Sequence, residues 1–128
     1  MIITKITNVY ILAPAKESTG GPEALHQLGY NIKKYTSKKK VFMHYVPFSN
    51  KSSINSNYKK YNLGFSKKIE DKKENLLIIP EQYSYIKLSE KYKKIRKAIW
   101  WLSYDNYIHS LFHKINSPLL KILIKIPF

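Results

Sequence analysis

Two carboxylates stand just beyond runs of strand-forming residues. Glu81 follows Leu76-Leu77-Ile78-Ile79-Pro80, and Asp105 follows Ala98-Ile99-Trp100-Trp101-Leu102 by way of Ser103-Tyr104. A strand end is where a general base, or an acceptor for sugar hydroxyls, would be held. A third group, Thr19-Gly20-Gly21-Pro22-Glu23, comes after the apolar run 8–13. Its glycines allow close backbone approach, and a proline followed by an acid opens a helix. The free N–H groups and dipole of that helix end would favour an anion such as a diphosphate. Each group also has a plainer reading. The glycine pair can be a tight turn, and Asp105 or Asn106 can simply cap the next helix. His26 sits in the first turns after the glycines, where most histidines are structural. His44, His109 and His113 have no partner at metal-ligand spacing, so no metal site is expected. Ser18, Ser103 and Ser110 lack a nucleophile-elbow context, which leaves serine hydrolysis unsupported.

The elements that must position these groups alternate in type. Residues 8–13 and 41–46 read as buried strands, rich in Val, Ile, Leu and aromatics. Between them Leu25, Leu28, Ile32 and Tyr35 recur at helical spacing and give one buried face. Residues 47–73, rich in Ser, Asn, Lys and Tyr, read as a long surface connection with a helical turn near 58–63. Residues 76–79 form a third strand. Tyr85, Leu88, Tyr92 and Ile95 continue a helix through Lys94, and residues 98–102 form a fourth strand whose two tryptophans pack against flanking helices. Strands alternating with helices predict an α/β fold, a partial Rossmann-like domain with a short parallel sheet of about four strands in the order 3-2-1-4. In such sheets ligands bind beyond the carboxyl ends of the strands. That rule brings Thr19, Gly20, Gly21, Glu23, Glu81, Ser103, Asp105 and Asn106 to one rim. Two units are expected: residues 1–107 as the half-domain, and 108–128 as a basic, helical and apolar tail docked on something else.

Composition bounds the reading. The chain has 128 residues, enough for one small domain, and 44% of them are hydrophobic, enough for a packed core. The absence of cysteine excludes disulfides, cysteine-ligated metals and thiol nucleophiles. The net charge is +15, but 22 of the 23 cations are lysine and Arg96 is the lone arginine. Reading phosphates or bases by geometry draws on arginine's planar fork, so nucleic acid is not the expected partner. No apolar stretch approaches the length of a membrane span, and residues 9–12 are too short for a signal core. The expected place is the cytoplasm, peripheral on the inner face of an anionic membrane.

Three segments together resemble a known family: Thr19-Gly20-Gly21-Pro22-Glu23-Ala24-Leu25-His26-Gln27-Leu28, then Ile78-Ile79-Pro80-Glu81, then Trp100-Trp101-Leu102-Ser103-Tyr104-Asp105-Asn106. They resemble the N-terminal half of bacterial glycosyltransferases of the GT-B type, similar to enzymes of surface polysaccharide and lipopolysaccharide synthesis. The resemblance covers roughly residues 8 to 107. It implies a nucleotide-sugar donor as substrate, no cofactor, and a glycan or lipid-linked acceptor. It also implies a cleft between two Rossmann-like domains, approached by Gly20-Gly21 and lined by His26, Glu81 and Asp105. In an inverting transfer Asp105 is the first candidate for the base and Glu81 the second. The C-terminal Rossmann domain of that family is missing, so the expectation is a truncated fragment inactive on its own. The alternative is a small basic protein for an anionic membrane, using the lysine clusters at 38–40, 59–60, 67–68, 72–73 and 93–94.

Overall fold

Seven residues, Asn8–Pro14, form the central strand β1, with Val9 through Ala13 fully buried. Such a run can be covered on both faces only by helices, which the chain supplies in turn. The computed structural model describes residues 5–36, 40–47 and 54–114. Helix α1 (Gly20–Tyr35) returns the chain to β2 (Lys40–Val46), which pairs parallel with β1 over its whole length. A 3-10 turn (Ser56–Tyr61) leads to the two-residue β3 (Gly64–Phe65), which pairs with Phe42 and Met43 of β2. Strand β4 (Leu76–Pro80) lies on the other side of β1, helix α2 (Tyr83–Ser89) crosses over, and β5 (Arg96–Trp100) pairs with β4. Helix α3 (Tyr104–Lys114) follows.

The sheet is all-parallel, in the order β3-β2-β1-β4-β5. This is the expected α/β, partial Rossmann-like class, with a difference in detail. The third strand is Gly64–Phe65, inside the stretch read as irregular, so the sheet has five strands rather than four. The apolar run at 76 thereby becomes the fourth strand, and the fifth is Arg96–Trp100 rather than 98–102, which leaves Trp101 and Leu102 outside it.

Each face of the sheet has its own core. Val9, Ile11, Ala13, Val41, Met43 and Tyr45 pack under Leu25 of α1. Tyr10, Leu12, Leu77 and Ile79 pack with Tyr85 and Ile95 on the other side. At Gly29 of α1, an added Cβ would lie 2.9 Å from Leu63 Cδ1 and 3.2 Å from Ile11 Cδ1. A glycine there lets the helix sit close to the sheet.

Three sequence expectations are corrected. Helix α2 ends at Ser89, not Lys94, because Asp71 draws the following backbone out of helical form. Its carboxylate accepts N–H bonds from Lys93 (2.9 Å), Lys94 (2.9 Å) and Ile95 (2.8 Å). Trp100 and Trp101 do not pack under helices; they are 39% and 51% exposed, and Trp101 stacks only at an angle on Tyr107. Tyr35, assigned to the buried face of α1, is 74% exposed. The expected apolar segment 119–128 lies outside the described residues.

Candidate functional site

The chain leaves β1 toward β2 by a helix on one face, and leaves β4 toward β5 by a helix on the other. Between the carboxyl ends of β1 and β4 the two connections diverge, which opens a crevice at that point in any parallel sheet. A cavity of about 90 Å³ occupies it. Pro14 and Pro80 mark the strand ends, Thr19 and Gly21 come from the start of α1, and Glu81 and Asn106 face them.

Glu81 is 2% exposed, and its Oε2 accepts a 3.4 Å hydrogen bond from the Leu102 backbone N–H. That bond ties the end of β4 to the segment after β5 and fixes a buried carboxyl group beside the cavity. The opposing wall is a helix start without a side-chain cap: Thr19 is extended, and its side chain accepts nothing from the first turn. Pro22 has no N–H to offer, so among the described residues the donors that the first turn leaves open are those of Gly20 and Gly21. A Cβ on either glycine would meet nothing within 4 Å, and neither has a positive φ. Neither packing nor backbone conformation therefore demands glycine at these positions. They are the first residues of the helix, not a turn.

The other expected residues do different work. His26 is 1% exposed on the far side of α1's first turns, in a hollow with Tyr45 and Tyr58. Its Nδ1 lies 2.6 Å from the Pro22 carbonyl and its Nε2 2.8 Å from the Tyr45 hydroxyl. A carbonyl can only accept, so Nδ1 carries the proton and Nε2 accepts from Tyr45. Burial pushes the imidazole pKa down against the Pro22 bond and the Glu23 charge, and pushes Tyr45 up to about 12. The ring stacks on Tyr58 at 4.0 Å. His26 is thus a fully used core residue.

Glu23 fastens the 3-10 turn onto α1. It accepts hydrogen bonds from the Tyr61 hydroxyl and, at 3.2 Å, from Gln27, with Lys60 3.7 Å away. The Tyr61 bond is the chief reason its pKa falls. Ser103 caps α3, its Oγ accepting from the Asn106 N–H at 3.2 Å. Asp105 is exposed in the first turn of α3, where its charge suits the helix dipole, and it does not line the cavity. Gly20 lies at the rim without lining it.

Three polar cavity residues, Glu17, Gln82 and Tyr85, are not among the sequence-based candidates. Glu17 sits in the β1–α1 loop and brings a second carboxylate to the rim. Tyr85 was read only as a core position; burial pushes its hydroxyl up to about 12, the Glu17 charge adding to the shift. Among the described residues no three His, Asp or Glu side chains converge as a metal site would require, and no helix is long and apolar enough to cross a membrane. Comparison with family models, curated proteins and solved structures gives no match for this chain.

Proposed function

We propose that this chain is a glycosyltransferase-type domain whose rim cavity holds the hydroxyl groups of a sugar. The observation that carries this reading is Glu81: a buried carboxyl group lining the same small cavity as Thr19 and Gly21 of an uncapped helix start. Carboxylates accept from sugar hydroxyls, and the backbone N–H groups opposite donate to sugar oxygens, so the two walls complement a polyol. With Glu17 also present, the cavity carries acid rather than base. A diphosphate would be repelled there, which favours the acceptor over the donor's phosphates. In an inverting transfer, Glu81 would take the acceptor hydroxyl's proton as that oxygen bonds the anomeric carbon and the nucleoside diphosphate departs. Asp105, exposed and outside the cavity, is the weaker choice for this base. The segments around Gly20-Gly21, Pro80-Glu81 and Trp100 to Asn106, which resemble the GT-B family, also border this one crevice.

At about 90 Å³ the cavity is smaller than the roughly 300 Å³ at which drug-sized ligand sites begin. A whole sugar nucleotide therefore needs a second wall, and a single sugar ring is the ligand to test first. Simple glycosides titrated into labelled protein should shift the amides of Thr19, Gly21 and Asn106. Glu81→Gln should weaken that binding about tenfold or more, the loss expected for a hydrogen bond to a charged group. Shifts confined to other surfaces, or none at millimolar glycoside, would refute the reading.

A further inference from the structure

Because every strand runs the same way, the chain enters all of them at one end of the sheet, opposite the cavity. That end gathers lysine. Lys5, Lys40, Lys72 and Lys73 lie at the entries to β1, β2 and β4, and all are exposed. Lys91, Lys93 and Lys94 lie exposed before β5. Helix α1 runs back from the cavity, so its last turn adds Lys33 and Lys34 to the same end. Hydrogen bonds hold the entries together: Thr7 N–H to the Glu74 carbonyl (2.7 Å), Lys40 N–H to the Thr7 carbonyl (3.3 Å) and Arg96 N–H to the Asn75 carbonyl (3.1 Å).

Four acids at this end, Glu70, Asp71, Glu74 and Glu90, offset part of the charge of these nine lysines. Glu70 is paired with Lys72 at 3.0 Å and Glu90 with Lys87 at 3.0 Å, and Asp71 also accepts from the three backbone N–H groups before β5. Among the described residues the cavity end carries Glu17, Glu23, Glu81 and Asp105 against Lys16 and the pair Lys59-Lys60, so the cation excess lies at the strand-entry end. The two ends are separated by a strand of seven residues, about 20 Å.

We propose that the strand-entry end docks on a bilayer of acidic phospholipid, holding the cavity end away from the membrane. The cations there are exposed lysines, long point charges that suit a diffuse layer of headgroup phosphates. Tyr35 stands exposed among them, with Lys34 Nζ 5.2 Å from its ring centre, an amphipathic group suited to the headgroup level.

Flotation of the full chain with vesicles tests the proposal. It should bind phosphatidylcholine containing about one-third phosphatidylglycerol, leave pure phosphatidylcholine unbound, and dissociate as salt rises from about 0.1 M to about 1 M. Lys93→Ala/Lys94→Ala should weaken binding about 25-fold, at roughly fivefold per lysine, while Lys59→Ala/Lys60→Ala should change it less than about twofold. Orientation gives an independent readout. Trp100 and Trp101 close β5 at the cavity end, so brominated lipid should leave them unquenched. Tyr35→Trp, in a chain with both native tryptophans changed to Phe, should be quenched. Equal binding to neutral vesicles, equal loss in the two lysine variants, quenching of Trp100 and Trp101, or displacement from vesicles by an equimolar RNA oligonucleotide would each overturn it.

Discussion

His26 and Glu81 are both polar, both buried and both close to the start of α1, yet only one faces the cavity. The difference lies in their partners. Both ring nitrogens of His26 are engaged, by Pro22 and Tyr45, and Tyr58 covers its face. Among the described residues Glu81 accepts one hydrogen bond from protein, and it is long, 3.4 Å. A residue with its bonding capacity spent supports the fold, and one with capacity left beside a cavity can meet a ligand. His26→Ala should therefore cost about 3 kcal/mol of stability, from a cavity, a lost stack and an unpaired carbonyl, with glycoside binding by the folded fraction unchanged. The pH dependence has a definite sign. Burial depresses the folded-state pKa of His26, so its contribution is complete above the unfolded value, about 6.5, and declines as pH falls below it. Chemical denaturation from pH 7.5 to 5.5 should show this decline, and His26→Phe should flatten it. An unaltered slope in His26→Phe would assign the decline to another group.

At the scale of elements, legibility followed the strength of the local pattern. Strands β1, β2 and β4 were plain in sequence because buried parallel strands are unbroken apolar runs, and α1 because Leu25, Leu28 and Ile32 keep one face. Strand β3 was not, since a two-residue strand in a polar stretch exists only through its pairing with Phe42 and Met43. The end of α2 was misread because Tyr92 and Ile95 extend the helical spacing, whereas Asp71, some twenty residues upstream, decides the backbone there. Position on the rim was legible from strand ends alone, hence Glu81, Thr19 and Gly21. Which side of a helix faces the cavity was not, hence His26, Glu23 and Asp105. Asp71 makes the cost of a long-range tie measurable. Its pKa is lowered first by the Ile95 N–H bond and then by those of Lys93 and Lys94, so its support is present above the ordinary carboxylate range and is lost as pH falls below about 4. Asp71→Asn should move the acid-unfolding midpoint upward. It should also speed amide exchange at Lys93, Lys94 and Ile95 before it affects β1. Unchanged exchange at those three amides would show that the loop holds its form without the carboxylate.

At the scale of the whole molecule, the sheet among the described residues ends on β5, a strand unlike most edge strands. Among those residues it pairs only with β4, and Ile99 and Trp100 of the strand, with Trp101 and Leu102 just after it, are all more than a third exposed. Neighbouring residues of a strand point to opposite faces, so the exposure of both Ile99 and Trp100 means that neither face is covered there. A row of backbone N–H and C=O groups beside apolar side chains is a template for another strand, and β5's own cations, Arg96 and Lys97, stand at its other end, away from Ile99 and Trp100. The same edge borders the cavity, because Leu102 and Asn106 line it. Two needs thus meet on one side of the protein: the sheet needs cover, and the cavity needs a second wall. Until a partner supplies both, copies of the chain should pair with each other through β5. Sedimentation velocity should show concentration-dependent association at tens of micromolar. Ile99→Lys, which puts a charge on the edge strand, should abolish it without lowering the melting temperature. Glycoside binding should then strengthen, since the self-paired form shields the rim. A chain that stays monomeric at high concentration before the substitution would mean that this edge is already covered, and with it the wall that the cavity requires.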